Sequence, residues 1–275
     1  MCELLGMSAN TPTDIRFSFT GLMQRGGATG PHRDGWGVAF YEGRGVRVFH
    51  EPAASANSEI AGVVQRLPIK SEIVISHIRQ ANVGSVCLVN THPFIRELWG
   101  RYWTFAHNGQ VPGFLGREDL YQPVGNTDSE ALFCDLLNRI RAEHHPDTGE
   151  TALVDTVVTL CGEYARQGVC NILLSNGDWL LTFCSSKLFC ITRRAPFGPA
   201  RLKDADVVVD FQQETTSRDV VSVIATEPLT TDEIWTPYHR GEWRLWRAGE
   251  TVASGRIDLP RNEDSVSTDS SSKTH

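Results

Sequence analysis

Cys2 directly follows the initiator Met1, a position that can turn an ordinary thiol into a self-sufficient nucleophile. Cysteine attacks as its thiolate, yet a reference pKa of about 8.5 leaves it mostly protonated at neutral pH. Removal of Met1, favoured by a side chain as small as cysteine's, leaves an α-amine of reference pKa about 7.7–8.0 on the same residue. An N-terminal amine acting as base for its own nucleophile is an established activation scheme in covalent catalysis. Two residues carry little information alone, so this reading depends on what other groups the chain supplies.

Three segments supply them. In Ile75-Ser76-His77-Ile78-Arg79, Arg79 ends an apolar strand. A guanidinium there offers a fixed fork of donors, suited to a ligand carboxylate or to a structural acid at the sheet edge. In Phe105-Ala106-His107-Asn108-Gly109, an Asn-Gly pair after a strand is a strong hairpin signal and predicts a type I′ turn. The same pair sets an amide side chain beside a glycine N–H. Two such donors converging on one oxygen make an oxyanion hole, each worth about 2.7–4 kcal/mol. The pattern alone favours the turn. In Thr127-Asp128-Ser129-Glu130, an acid in a first helical turn suits the helix dipole, and the same carboxylate can receive a ligand ammonium. Together these groups outline a ligand: Arg79 for an α-carboxylate, Asp128 for an α-ammonium, Cys2 for attack on a distal amide, Asn108 and Gly109 for the oxyanion. Glutamine fits that outline.

The elements that must position these groups alternate short strands with a few helices. Thr13–Gln24 reads as a helix capped by Thr13, with Ile15, Phe19, Leu22 and Met23 on one face and Gly26-Gly27 as its stop. Trp36–Tyr41 and Val46–Phe49 read as a hairpin, Asn57–Arg66 as a second helix closed by Pro68, and Glu72–Arg79 and Arg101–Ala106 as strands. Thr127 and Glu130 have capping-box spacing ahead of Leu132, Phe133, Leu136, Leu137 and Ile140, which opens a third helix; Thr151–Arg166 is the fourth. Strands follow at Cys170–Leu174, Trp179–Cys184, Leu188–Thr192, Val207–Asp210, Val220–Thr226 and Trp243–Arg247. Strands in adjacent pairs between helical stretches predict antiparallel sheets covered by helices, an α+β fold. Residues 2–260 read as one domain, and the Ser-, Thr- and Asp-rich stretch 261–275 as a disordered tail.

Composition narrows the field of functions. A formal net charge of −7 without any basic run gives nucleic acid no electrostatic footing. Apolar runs are strand-sized, too short for a bilayer, and the N-terminus lacks a charged and then apolar leader. The seven cysteines are odd in number and none has Cys-x-x-Cys spacing. That argues against a disulfide framework or zinc site and for a reducing cytoplasm. His144-His145 reads as solvated surface, and neither metal nor cofactor is expected.

In chain order, Met1-Cys2, His77-Ile78-Arg79, His107-Asn108-Gly109 and Thr127-Asp128-Ser129-Glu130 resemble the landmarks of the class II glutamine amidotransferases, N-terminal nucleophile hydrolases that begin with a catalytic cysteine. The segments 32–37, 90–94 and 224–230 resemble the small stand-alone, YafJ-like members. The resemblance covers about residues 2–260 and implies an αββα four-layer sandwich, two stacked and mainly antiparallel sheets between helix layers. It implies Cys2 as nucleophile, Asn108 and Gly109 as oxyanion hole, and Arg79 and Asp128 as substrate contacts, joined by Asn82 and His92. Many members carry an aromatic residue after the arginine and a threonine two further on. Here Gln80-Ala81-Asn82 follow Arg79, which implies a pocket of altered shape. The implied chemistry is attack of Cys2 on glutamine's side-chain amide, releasing ammonia and then glutamate through a γ-glutamyl thioester. The ammonia goes to a separate synthase subunit or to solvent. Hydrolysis of a larger γ-glutamyl amide and a catalytically idle binding fold are the alternatives.

Overall fold

Apolar side chains gather in three stacked layers, and the strands and helices are disposed around them. The computed structural model describes residues 2–117, 119–211 and 216–260; Met1 and the expected tail at 261–275 lie outside the described residues. The strands are β1 (Glu3–Asp14), β2 (Trp36–Glu42), β3 (Gly45–Glu51), β4 (Lys70–Ile78), β5 (Phe94–Leu98), β6 (Arg101–Gln110), β7 (Val169–Ser175) and β8 (Leu180–Cys184). They continue with β9 (Phe189–Arg194), β10 (Pro199–Arg201), β11 (Val208–Asp210), β12 (Val220–Ala225), β13 (Thr236–Pro237), β14 (Glu242–Arg247) and β15 (Glu250–Arg256). The helices are α1 (Arg16–Arg25), α2 (Glu59–Arg66), α3 (Asp128–Glu143) and α4 (Glu150–Gln167). One sheet runs β13-β9-β12-β1-β4-β2-β3 and the other β15-β14-β8-β7-β6-β5, with β10-β11 as a separate ribbon.

Alternation along the strands assigns each side chain to a layer. On β1, Leu5 and Met7 face the first helical layer, packing with Phe19 and Leu22 of α1 and Val64 of α2. Leu4 faces the opposite way, into a middle layer shared with Ile75 and Ile224 of its own sheet and Ala106, Leu173 and Leu180 of the other. On β7, Leu173 points into that middle layer while Ile172 and Leu174 meet α3 and α4 through Phe133, Leu136, Val157 and Tyr164. Phe105 and Phe133 stack there at 5.1 Å, almost parallel. Both sheets are thus buried on both faces, giving two antiparallel sheets between helix layers, the αββα fold the resemblance implies.

Three local readings need correction. Thr13 does not cap α1, because Thr13 and Asp14 extend β1 by pairing with Ser71 and Lys70 of β4. The helix begins at Arg16, whose N–H donates to Asp14 Oδ1 at 2.8 Å. Asn108 and Gly109 do not turn: they continue β6, opposite Asn171 and Cys170 of β7, and neither has the positive φ of a type I′ turn. Cross-strand pairing outweighs the local turn preference. The capping box on α3 is half formed. Thr127 Oγ1 accepts from Glu130 N–H at 3.2 Å, but the Glu130 carboxylate takes Arg96 (2.5 Å) and the N–H groups of Val124 (3.1 Å) and Gly125 (2.7 Å). Cys134, Cys161, Cys170, Cys184 and Cys190 are buried as small apolar side chains. Among the described residues, no helix is long and apolar enough to cross a membrane.

Candidate active site

Cys2 immediately precedes β1, which runs through the middle of its sheet between β12 and β4. That placement brings the thiol beside the residue after Arg79: Gln80 N–H donates to Cys2 Sγ at 3.3 Å, and the thiol reaches Gln80 O at 3.5 Å. The 79–81 segment is itself pinned. Arg79 N–H donates to Gly35 O (2.7 Å), Asp34 N–H to Arg79 O (3.1 Å), and Ala81 N–H to Asp34 Oδ2 (2.8 Å). Burial pushes the Cys2 thiol above its ordinary pKa, although the Gln80 N–H and the Arg79 charge pull the other way. A thiol so placed is protonated at neutral pH.

Asn108 and Gly109 lie on β6 of the facing sheet. Asn108 Nδ2 donates to Thr226 Oγ1 at 3.2 Å, and the Asn108 carbonyl accepts from Asn171 Nδ2 at 2.8 Å. Asn171 is in turn fixed through its Oδ1, which accepts the N–H groups of Ser185, Ser186 and Lys187 at 3.0–3.2 Å. Asn108 Oδ1 is buried without a hydrogen-bond partner. Gly109 is required by close approach: a Cβ there would stand 1.8 Å from Val169 O and 2.8 Å from His107 Nε2.

A cleft of about 30 Å³ gathers most of the expected site. Cys2, Arg79, Asn82, His92, Gly109 and Asp128 all line it, and Asn108 stands one residue behind Gly109 on the strand. Arg79 is buried, and its fork is engaged by a loop: Nη1 donates to Ser85 O (2.9 Å), and Nη2 to Val83 O (2.9 Å) and Gly84 O (3.3 Å). Asp128 opens α3, accepting Val111 N–H at 2.7 Å and Ser129 N–H at 2.9 Å. Asn82 is exposed at the mouth. His92 is buried, its ring tilted against His77 at 4.2 Å and against Phe94 at 4.3 Å, and neither ring nitrogen has a partner among the described residues. His107 meets Val169 O through Nε2 (3.1 Å) and Ser129 Oγ through Nδ1 (2.8 Å). A carbonyl only accepts, so the network assigns the proton to Nε2. Cavities of about 540 and 600 Å³ lie beside α1 and the β2–β3 hairpin, but neither is lined by a cysteine or histidine.

The sequence reading missed three groups. Thr226 and Asn171 hold Asn108 from two directions, yet each reads along the chain as an ordinary strand residue. Arg25 reads as a favourable base in the last turn of a helix. Instead it is buried, reaching Glu3 beside Cys2 at 3.1 Å, Asp204 at 2.8 Å, and the carbonyls of Glu227 and Pro228. Nothing in its spacing announces that role.

The fold thus brings a cysteine at the second position and Gly109 of the Asn-Gly pair into one cleft. The chain belongs to the class II glutamine amidotransferases: the family profile matches residues 1–270. YafJ of Escherichia coli (strain K12) is 57% identical over 254 residues, 92% of this chain and all of that protein. The crystal structure of a predicted glutamine amidotransferase from Pseudomonas aeruginosa PA01 is 64% identical, with a TM-score of 0.75 over 92% of this chain and all of that one. The γ-glutamyl-hercynylcysteine sulfoxide hydrolase of Mycobacterium tuberculosis (strain H37Rv) is 28% identical over 163 residues, 59% of this chain and 63% of its own. The glutamine phosphoribosylpyrophosphate amidotransferase of B. subtilis, at 13% identity and a TM-score of 0.59, covers 94% of this chain and 50% of its own, and shares the fold.

Proposed function

We propose that residues 2–260 form one catalytic domain in which Cys2, freed of Met1, cleaves the side-chain amide of glutamine in the cytoplasm. The observation that carries this reading is the single cleft lined by the Cys2 thiol, Gly109, Arg79 and Asp128. The α-amine takes the thiol proton as Sγ attacks the amide carbon. Asn108 Nδ2 and Gly109 N–H donate to the oxyanion so formed. Collapse breaks the C–N bond, the α-ammonium returns its proton to the leaving nitrogen, and ammonia departs. Water, activated by the same amine, then cleaves the γ-glutamyl thioester to glutamate and restores the thiol.

Relative basicity supports the amine as base. Burial and neighbouring positive groups push His77 down to about 3 and His92 well below 6.5, and both nitrogens of His107 are engaged. An α-amine near 7.7–8.0 outcompetes imidazoles that weak. Arg79 and Asp128 take the α-carboxylate and α-ammonium, with Asn82 and His92 completing the pocket. The ammonia passes to a separate synthase subunit or to solvent.

A second reading, hydrolysis of a larger γ-glutamyl amide, draws on the similarity to the mycobacterial sulfoxide hydrolase and on exposed Asn82 in place of the family's threonine. The test is kcat/KM for glutamine against γ-glutamyl dipeptides. Higher values for glutamine support the first reading, and higher values for dipeptides replace it with the second. In either case Asn108→Ala lowers kcat by on the order of 100- to 1,000-fold. Wild-type turnover in that variant excludes the oxyanion assignment.

A further inference from the structure

Thr226 stands just past the end of β12, and Leu4 lies two residues along from Cys2. Its Oγ1 accepts two N–H groups at once, from Leu4 at 2.9 Å and from Asn108 Nδ2 at 3.2 Å. Its own main-chain N–H donates back to the Leu4 carbonyl at 3.2 Å. Leu4 belongs to one sheet and Asn108 to the other. One buried hydroxyl therefore ties the nucleophile's strand to the amide that faces it across the middle layer.

We propose that Thr226 is a positioning residue for amide cleavage, setting both the orientation of the Asn108 carboxamide and its distance from Cys2. This rests on the reading of Asn108 as oxyanion donor. The two ends of a carboxamide are nearly the same size, and its terminal torsion is soft, so packing alone fixes its orientation poorly. Asn108 Oδ1 has no hydrogen-bond partner among the described residues. The bond from Nδ2 to Thr226 Oγ1 holds the amide against the hydroxyl that also takes the Leu4 N–H. It uses one N–H and leaves the second with no acceptor among the described residues, available to an oxygen that forms during attack. Because Thr226 also clamps Leu4 on both its N–H and C=O, a shift of the amide and a shift of the nucleophile's strand are coupled.

The probes are L-glutamine and γ-glutamyl-p-nitroanilide, an activated amide open to either substrate reading. Thr226→Val keeps the shape and removes the acceptor. It is expected to lower kcat by roughly 10- to 100-fold, the scale of a small misplacement of catalytic groups, with KM within about twofold. Thr226→Ser, which restores the oxygen, is expected to stay within about threefold of wild type in kcat. In the Asn108→Ala background, Thr226→Val should cost clearly less than it does in the wild type, because the arm of its effect through the amide is already gone and only the Leu4 contact remains. Thermal melts identify a variant that fails to fold, in which case the smaller Thr226→Ala carries the same comparison. Wild-type kcat in Thr226→Val overturns the proposal, as does a Thr226→Ser variant as slow as Thr226→Val, or a full additional loss in the double variant. If Asn108→Ala retains wild-type kcat, the oxyanion reading falls as well. If Asn108→Ala is slow and Thr226→Val is not, the tether alone is wrong. A wild-type protein that cleaves neither probe overturns both.

Discussion

The His77 imidazole is fully buried on β4, and neither of its ring nitrogens makes a hydrogen bond of good geometry. Burial first, then the His107 and Arg79 charges, push its pKa down to about 3; burial also lowers His50 to about 4. In the unfolded chain both groups titrate near 6.5. Between these values the unfolded state binds more protons than the folded one, so stability rises with pH across that window. Stability is fully present above about pH 6.5 and drains as pH falls toward 4 and then 3. Urea midpoints are expected to be clearly lower at pH 5 than at pH 7.5, and His77→Leu should flatten that dependence; an unchanged slope in the variant would refute the assignment. At this scale the sequence was informative about chemistry and misleading about conformation. Asn108-Gly109 carries the residue types of an oxyanion hole, yet its local turn signal points the wrong way. Only pairing with β7, sixty residues on, holds it extended.

The loop at 83–85 is bound to the site by the group expected to bind substrate. Three of its carbonyls occupy the Arg79 fork at the edge of the cleft that Cys2 lines. On the proposed reading of Arg79, a carboxylate ligand exchanges those neutral acceptors for a charge-assisted pair. Arg79→Lys supplies one ammonium where a planar fork served three carbonyls. It is expected to raise KM by about tenfold or more while changing kcat less, and to expose residues 81–86 to limited proteolysis. A larger loss in kcat than in binding would show that Arg79 serves the reacting centre instead. Elements with strong internal periodicity were legible: α3 with its Thr127 cap, α4, and the β2–β3 hairpin. β1 was not, because its long polar end, Thr11 to Asp14, follows an apolar start and reads as the approach to a helix. β15 was missed because its exposed residues show little alternation.

At the scale of the whole molecule, the two sheets meet through an apolar middle layer, and the proposed chemistry straddles it. Cys2 and Arg79 come from one sheet; Asn108, Gly109 and the turn into α3 adjoin the other. Strand pairs and helix periods imply antiparallel sheets under helices, but which strands share a sheet depends on pairings up to 220 residues apart, such as β1 with β12. Only the resemblance, carried by four short segments in family order, reached the four-layer arrangement. Everything proposed for the site turns on a free α-amine at Cys2 and on that thiol as the attacking atom. The direct measurement is intact mass followed by peptide mapping of purified protein treated with 6-diazo-5-oxo-L-norleucine, a diazoketone mimic of glutamine. The expected result is a chain lacking Met1 that carries one adduct, mapped to Cys2 and absent in Cys2→Ala. Retained Met1, or labelling undiminished in Cys2→Ala, would contradict it.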